Sequence, residues 1–432
     1  MKWPRNFASF STRAGALSAV RITDAVAGVG VLAALTFCLP PSEVGSWFLM
    51  TGMILTAQAI FQFRSSEAIF TYLPALIDDS CFQASRRILR TSLLAELASG
   101  LVSAVALYFG FTLLPGDYFG QPLPNICITA AMAMCVVRGL QEPLDATIRA
   151  VQSSSWILSV GITTVILRAS AIVGSAILYQ SFEALVVALA VASLVNLVIL
   201  AIAVAQTVNG NEGGSNAPTT PDTRELFKFL GFSSLISLLN VLVLRVDELL
   251  LGLFVAPTMV AGYGIARRIS GMSDILFTPE NEALFSSLSG IDDPGKRTTI
   301  VREANRRGVF LSLAVVIGLI AIAPVMYLLL EDRYPGIFSA VTLFAFTNLW
   351  FCRHWYRPLL ATSGRQQSAA VFTFGSVFVF FTAAFLLTPS LGVTGLILSH
   401  HCRIVAWLWF GNRMIARYTD VIPPSSFLRS TT

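Results

Sequence analysis

The segment Glu67-Ala68-Ile69-Phe70-Thr71 decides the fold, because it recurs half a chain later as Glu282-Ala283-Leu284-Phe285-Ser286. Further matches follow on both sides at the same spacing of roughly 215 residues, which is the signature of an internal repeat. The further pairs are Pro41 and Pro257, Val44 and Val260, Ile77-Asp78-Asp79 and Ile291-Asp292-Asp293, Tyr118 and Tyr334, Gly120 and Gly336, Arg138 and Arg353, Pro143 and Pro358, Thr147 and Thr362, and Gln152-Ser153 and Gln367-Ser368. Because these pairs are collinear, they indicate a duplication.

The composition is that of an integral membrane protein. Of 432 residues, 55% are apolar and 12% are charged, and the mean hydropathy is +0.72, whereas soluble domains carry about 25% charged residues. Each predicted span has about 20 mainly apolar residues, enough to cross a bilayer core. The spans lie near 20–40, 44–63, 91–114, 124–141, 155–178 and 183–206 in the first half, and near 229–254, 259–278, 308–330, 337–356, 368–389 and 391–412 in the second.

An even number of spans in each repeat gives both halves the same orientation in the membrane. The repeats are then expected to be related by an axis along the membrane normal. The predicted fold is an all-α polytopic membrane protein of about 12 spans, arranged as two six-helix lobes related by a parallel repeat. Such a duplication is typical of transporters, whose substrate path lies between the repeats.

The basic residues predict the orientation, because cytoplasmic loops carry an excess of Lys and Arg. With both termini inside, the cytoplasmic segments hold Arg86, Arg87, Arg302 and Arg306 among many others, and the outside loops hold only Arg333. This distribution accounts for the net charge of +5. The charge therefore gives no reason to expect a nucleic-acid partner.

Residues 207–228 are predicted to be a cytoplasmic linker, because they include Asn209-Gly210-Asn211, Gly213-Gly214-Ser215 and Pro218. This segment separates an N-terminal lobe, 1–206, from a C-terminal lobe, 229–432. The basic N-terminus followed by an apolar run resembles a signal peptide, but Arg21 and Asp24 interrupt that run. We therefore expect it to be retained as the first helix.

No enzyme signature is present. The sequence has no nucleophile elbow, phosphate-binding glycine loop or P-loop, so we expect neither catalysis nor a resident cofactor. His400-His401-Cys402 does not predict a metal site, because adjacent helical residues point about 100° apart and the spacing matches no zinc pattern. The six cysteines show no paired spacing and are expected to be small apolar residues.

The charged residues within the spans are the candidate site. Five arginines and two acids occupy mid-membrane positions, a net charge of +3 (5 − 2): Arg168, Arg245, Arg267, Arg268, Arg403, Asp247 and Glu248. Charges in a span usually face a cavity or a partner. The positive balance disfavours an organic-cation substrate and suits a diphosphate, because the planar guanidinium donors match phosphate oxygens.

The alternative for the seventh and eighth spans is that Arg267 and Arg268 only pair with Asp247 and Glu248. Glu248 and Arg267 lie at similar height from the turn at Pro257, so an ion pair between them is possible. Asp247 points elsewhere and is expected to face the cavity. Arg168 and Arg403 have no acidic residue nearby in sequence.

A second charged group lies toward the predicted cytoplasmic ends of the spans. Its members are Arg21, Asp24, Arg64, Glu67, Asp274, Glu280 and Glu282. The repeat-matched Glu67 and Glu282 are candidates for an inner gate that closes by pairing with Arg21 or Arg64, with Glu280 as a further acid. The alternative is that these side chains only reach toward the membrane interface.

Four aromatic residues are candidates for stacking on sugar rings: Trp47, Tyr263, Trp350 and Trp355. The alternative is that they anchor helix ends at the membrane interface.

The segments Arg245–Gly252 (RVDELLLG) and Val260–Arg268 (VAGYGIARR), with the six-plus-six arrangement, resemble the polysaccharide-export (Wzx-type) flippases of the multidrug/oligosaccharidyl-lipid/polysaccharide (MOP) superfamily. The resemblance covers nearly the whole chain. It implies a multi-pass protein of the bacterial inner membrane that moves an undecaprenyl-diphosphate-linked oligosaccharide from the cytoplasmic to the periplasmic leaflet by alternating access. Glycosyltransferases, a polysaccharide polymerase and membrane lipids are the implied partners.

The resemblance also implies roles for residues. Arg168, Arg245, Arg267, Arg268 and Arg403 would hold the diphosphate, and Asp24, Asp247 or Glu248 would take up a proton or sodium ion during the return step. The chain lacks the two extra C-terminal helices of lipid II flippases, which disfavours a peptidoglycan-precursor substrate. The main alternative is a MATE-like drug/cation antiporter, for which an acidic or mixed cavity is expected; a membrane scaffold would not need buried arginines.

Overall fold

The computed structural model describes residues 7–63, 65–78, 82–116, 118–151, 153–208, 238, 246–288, 293–363 and 366–418. The chain divides into two compact units, Met1–Val246 and Asp247–Thr432, which is the division that a duplication predicts. The predicted linker lies outside the described residues except for its first two positions, and the predicted lobe boundaries remain predictions.

Among its described residues up to 208, the first unit has seven helices, and six of them correspond to predicted spans. They are α1 (Phe7–Cys38), α2 (Pro41–Phe61), α3 (Ser65–Asp78), α4 (Phe82–Leu113), α5 (Asn125–Val151), α6 (Ser154–Leu178) and α7 (Phe182–Val208). The short helix α3 follows α2 after a break at Gln62, which has an extended backbone. Helix α1 begins well before the predicted residue 20, a difference that matters for Asp24.

The second unit repeats this order with more interruptions. Its helices are α8, described over 246–252, α9 (Pro257–Gly271), α10 (Asp274–Leu288), α11 (Pro294–Leu330), α12 (Ile337–Thr347), a 3₁₀ helix (Asn348–Arg353), α13 (Tyr356–Thr362) and α14 (Gln366–Tyr418). The eighth predicted span is divided between α9 and α10. The tenth predicted span covers α12 and the 3₁₀ helix.

Helix α14 is a hairpin of two arms, which accounts for the last two predicted spans. The chain turns at Gly392, where φ is 54° and ψ is −128°, a left-handed backbone that glycine adopts without steric cost. A side chain on Gly395 would lie 2.3 Å from the Leu387 carbonyl oxygen. Farther along the arms, the rings of Phe380 and His400 are 4.7 Å apart, as only antiparallel arms allow.

The duplication is visible in the backbone as well as in the sequence. Gly120 and Gly336 occupy matched turns and both have positive φ, 72° and 84°. The matched Thr147 and Thr362 each donate to the carbonyl four residues earlier, at 2.8 and 2.9 Å. The repeated residues therefore specify turns and helix packing that both units share.

Seven of the described helices are long and apolar enough to cross a membrane: residues 15–38, 41–61, 83–113, 154–178, 182–206, 295–330 and 370–417. The last contains both arms of α14. The predicted all-α membrane fold is confirmed.

Candidate functional site

Two ion pairs connect α8 to α9. Arg267 pairs with Asp247, and Arg268 Nη1 donates to Glu248 Oε1 at 2.7 Å. Asp247 and Glu248 are adjacent on α8, and Arg267 and Arg268 are adjacent on α9. The two ion pairs therefore form at consecutive positions of the two helices. Arg268 Nη1 also donates to the Gly264 carbonyl at 3.1 Å.

Tyr263 and His400 complete this group around the Asp247 carboxylate. Tyr263 Oη donates to Asp247 Oδ2 at 2.5 Å, and His400 Nε2 lies 3.2 Å from that oxygen and 3.1 Å from Tyr263 Oη. Asp247 Oδ1 accepts from the Glu248 amide at 2.8 Å. Asp247 and Tyr263 are 0% exposed. We call the six residues 247, 248, 263, 267, 268 and 400 the Asp247 cluster.

Local helical geometry and the α14 hairpin assemble this cluster. Tyr263 and Arg267 are four residues apart on α9 and therefore share a face. His400 comes from the second arm of α14 and packs against Phe380 of the first arm. Phe344 of α12 covers the other side, with its ring 5.2 Å from that of Tyr263. The Asp247 carboxylate therefore lies buried among aromatic side chains of the second unit.

The structure bears out the alternative in which Arg267 and Arg268 pair with Asp247 and Glu248, and it contradicts the expectation for Asp247. Asp247 does not face a cavity, because it is fully buried among Arg267, Tyr263 and His400. Glu248 pairs with Arg268 rather than Arg267. Depth along a helix was estimated correctly, but depth does not give the rotation of the helix about its axis, and adjacent residues point about 100° apart. His400 was not predicted to join this cluster, because its partners are distant in sequence.

The first unit contains a separate ion pair between Asp24 of α1 and Arg168 of α6. Arg168 has no acidic residue nearby in sequence, and its partner comes from another helix, 144 residues away. Asp24 was expected toward the cytoplasmic end of the first span, whereas it lies in the middle of α1. Asp24 lies about 21 Å from the end of α1 at Cys38, and Arg168 about 15 Å from the end of α6 at Leu178. The two charges are therefore at similar depth within a core of about 30 Å.

The Asp24–Arg168 pair is also half exposed, with 49% and 48% of the two side chains accessible. A charged pair at this depth is costly against hydrocarbon and normally faces water or protein. We therefore assign this face of α1 and α6 to a polar environment.

This assignment predicts thiol reactivity. In a background with the native cysteines replaced, Arg168→Cys is expected to react with a membrane-impermeant maleimide, because a thiolate forms only in contact with water. Ile166→Cys is the matched control, since Ile166 is 54% exposed but points about 200° away on the same helix. Equal labelling of the two positions, measured by mass shift, would contradict the assignment.

Arg403 differs from the other mid-membrane arginines. It lies one turn after His400 on α14 and is partly buried. The acids Asp24, Asp247 and Glu248 are paired with Arg168, Arg267 and Arg268. Within the part of the chain that the structure describes, Arg403 has neither an ion pair nor a hydrogen-bond partner.

The remaining predicted site residues are less informative. Arg245 and Arg64 lie outside the described residues, as do the side chains of Glu67 and Glu282, although α3 and α10 include their backbones. Arg21 on α1 and Glu280 on α10 are partly buried. The inner gate therefore stays a prediction.

The aromatic residues proposed to stack on sugars are mostly unavailable. Trp47, Tyr263 and Trp355 are 5%, 0% and 0% exposed, so neither sugar stacking nor interface anchoring describes them. Trp350 is partly buried, with its ring 5.6 Å from that of Trp407. These side chains pack the interiors of the two units.

Comparisons with solved structures confirm the transporter fold. An inward-facing multidrug resistance MATE family transporter of the MOP superfamily aligns with a TM-score of 0.60 and 15% identity over 93% of this chain and 98% of its own. A eukaryotic MATE transporter aligns with a TM-score of 0.58 and 13% identity over 94% and 95%. These values establish the shared fold of about 12 spans in two lobes.

A third similar structure is a MOP superfamily transporter from Pyrococcus furiosus, for which reversed polarity of the binding pocket suggests a different function. It has a TM-score of 0.58 and 13% identity over 95% of this chain and 96% of its own. A comparison with curated proteins found no match. The family model described as "Polysaccharide biosynthesis protein" matches residues 51–335, which is more than half of the chain and includes α9 with Tyr263, Arg267 and Arg268. The chain therefore belongs to the polysaccharide biosynthesis protein family and has the fold of a MOP superfamily transporter, in agreement with its resemblance to the polysaccharide-export flippases.

Proposed function

We propose that this protein is a flippase that moves an undecaprenyl-diphosphate-linked oligosaccharide across the inner membrane, from the cytoplasmic to the periplasmic leaflet, by alternating access. Both termini would then be cytoplasmic. The observation that carries the proposal is Arg403, the mid-membrane arginine without a partner among the described residues. A guanidinium held at this depth without a counter-ion is suited to an anionic substrate group, and its forked donors match a diphosphate.

Arg267 and Arg268 are less suited to binding the diphosphate than the sequence predicts. Arg267 and Arg268 already donate to Asp247 and Glu248, so we expect them to support the site rather than bind the diphosphate first. Asp247 and Glu248 are for the same reason poor candidates for cation coupling. Asp24, half exposed beside Arg168, is the better candidate among the three proposed acids to take up a proton or sodium ion.

A drug/cation antiporter is the second candidate function, because the fold is that of MATE transporters. Binding an organic cation calls for an accessible carboxylate. In the described mid-membrane set, Asp24, Asp247 and Glu248 each pair with an arginine and Arg403 remains, so the charge balance favours an anion. The Pyrococcus furiosus transporter, with its reversed pocket polarity, is a precedent for such a difference on this fold.

Reconstitution of the purified protein in liposomes tests the proposal. We expect protein-dependent flipping of an undecaprenyl-diphosphate-linked oligosaccharide, detected as protection of the glycan from an added glycosidase. A monophosphate-linked sugar should flip more slowly, and a cationic dye should not be transported against a proton or sodium gradient. Transport of the dye together with failure to flip the diphosphate lipid would support the antiporter instead.

A further inference from the structure

The break between α2 and α3 is closed mainly by polar side chains of α4. Glu96 Oε1 accepts from both the amide and the hydroxyl of Ser65, at 3.0 and 2.9 Å. Ser99 donates to the Phe61 carbonyl at 2.8 Å, and Ser103 to the Ala57 carbonyl at 3.2 Å. One face of α4 thus satisfies the backbone groups that the break leaves open, as a membrane-embedded break requires.

Two carboxyl groups converge on the first turn of α3. Glu142 of α5 accepts at Oε1 from the Ser66 hydroxyl at 2.7 Å, beside the bonds from Ser65 to Glu96. Helices α4 and α5 are in backbone contact here, since a side chain on Gly139 would lie 2.8 Å from the Glu96 carbonyl oxygen. Glu96 is 0% exposed and lies about 26 Å from the end of α4 at Leu113, within a core of about 30 Å.

The second oxygen of Glu96 is the unexplained feature. Glu96 Oε2 is buried and has no hydrogen-bond partner. Burying a carboxylate oxygen without a partner costs free energy, and a buried carboxyl group reduces that cost by binding a proton. Glu96 Oε2 is thus available to a proton, while Glu96 Oε1 accepts the hydrogen bonds from Ser65 at the start of α3.

The corresponding break in the second unit is bridged by serine and asparagine side chains, and its acid lies on the helix itself, Asp274 in the first turn of α10. At the corresponding joint between α9 and α10, Ser270 donates to the Phe344 carbonyl at 3.2 Å and Ser273 donates to Asn348 Oδ1 at 2.7 Å. Asn348 Nδ2 in turn donates to Ser270 Oγ at 2.8 Å. The repeat counterpart of Glu142 is Arg357. The two joints are therefore closed by different groups, and at the first joint two glutamates come from neighbouring helices.

We propose that Glu96 is a proton-binding site of the first unit, and that its protonation loosens the joint between α2 and α3. In the charged state the carboxylate accepts two bonds from Ser65 and stabilises the positive N-terminal end of α3. Proton uptake forms an O–H bond at Oε2, removes that charge and weakens both bonds from Ser65. The proton comes from water, and no other reactant is needed.

Neighbouring charges fit a proton better than a metal ion. Glu142 of α5 reaches the same turn of α3, Arg138 lies one turn before Glu142 on α5, and the neutral Gln58 of α2 donates to the Cys135 carbonyl of α5. Arg64 and the side chain of Glu67 lie outside the described residues. The amide and the hydroxyl of Ser65 both direct a hydrogen atom at Glu96 Oε1, which leaves that oxygen poorly placed to bind a metal ion. No group of three or more His, Cys, Asp or Glu side chains suited to a metal occurs among the described residues.

Labelling with a carbodiimide tests the site without any transport substrate. Dicyclohexylcarbodiimide modifies protonated carboxyl groups in apolar surroundings, so we expect label on Glu96, found by peptide mass spectrometry, with a rate that falls as pH rises. Glu303, exposed and paired with Arg307 on α11, is the control and should stay unlabelled. Absence of label on Glu96 at every pH would overturn the proposal, and protection by sodium at constant pH would replace the proton with a metal cation.

Hydrogen exchange tests the effect on the joint. After correction for the intrinsic pH dependence, the first-turn amides of α3 should exchange faster at low pH in the wild type. Glu96→Gln keeps an acceptor for Ser65 but cannot be charged, so its exchange should be fast at all pH values. Identical pH profiles for the two proteins would mean that Glu96 is only a structural cap. Because neither measurement uses a lipid-linked sugar, their outcome is separate from that of the proposed function.

Discussion

Replacement of Arg403 by alanine is expected to reduce flipping of a diphosphate-linked lipid at least about 30-fold, because truncating one partner of a desolvated charge pair costs about 2–5 kcal/mol. Arg403 is the described mid-membrane arginine that no carboxylate neutralises. Its removal should therefore weaken substrate binding while leaving the Asp247 cluster intact. The initial flipping rate in proteoliposomes, normalised to the amount of protein, measures the effect.

Arg403→Lys separates charge from geometry. A lysine keeps the charge but loses the forked donors, so we expect much of the activity to be lost here as well. The control is Arg413→Ala on the same arm of α14, where the guanidinium lies 4.4 Å over the ring of Trp409 and the side chain is exposed. Wild-type flipping by the Arg403→Ala protein, at normal expression, would remove the basis of the diphosphate assignment.

Asp247→Ala is expected to destabilise the protein by about 3–5 kcal/mol, because it leaves Arg267 as an uncompensated charge inside the second unit. Tyr263 and His400 also lose their common partner, Asp247 Oδ2. The double variant Asp247→Ala/Arg267→Met should recover most of this loss, since it removes both charges and refills the volume with an apolar chain. Equilibrium unfolding in mixed detergent micelles compares the free energies of the variants.

The matched control for this prediction is Glu303→Ala. Glu303 and Arg307 form an exposed pair one turn apart on α11, and such pairs contribute about 0.3–0.5 kcal/mol. A loss for Asp247→Ala as small as that of Glu303→Ala would mean that Arg267 finds water or another partner. The Asp247 cluster would then be an accessible site rather than a structural one.

The sequence predicted the architecture because each part of it depends on local information. A bilayer of known thickness demands about 20 apolar residues per span, and collinear pairs such as Tyr118 and Tyr334 mark equivalent turns. The paired positive φ of Gly120 and Gly336 bears out that equivalence. The rise per residue likewise gives the expected depth of Arg168, Arg267 and Arg268 along their spans.

The sequence alone did not decide which of these charges form ion pairs with one another. Asp24 and Arg168 are 144 residues apart, and the distance from Asp247 to His400 is 153 residues. Periodicity states which residues share a face of one helix, but not which face of another helix it meets. The rotation of the helices pairs Glu248 with Arg268 rather than with Arg267, and the second arm of α14 brings His400 to Asp247.

By itself, the sequence determined a duplicated, twelve-span membrane protein with an excess of arginine at mid-membrane depth, because apolar length, repeat matches and helical rise are properties of the chain taken one segment at a time. Only the tertiary structure decided which charges cancel. Packing sets the rotation of each helix, and that rotation places Asp247 against Arg267, Glu248 against Arg268 and Asp24 against Arg168. Among the described residues, it leaves Arg403 without a carboxylate partner.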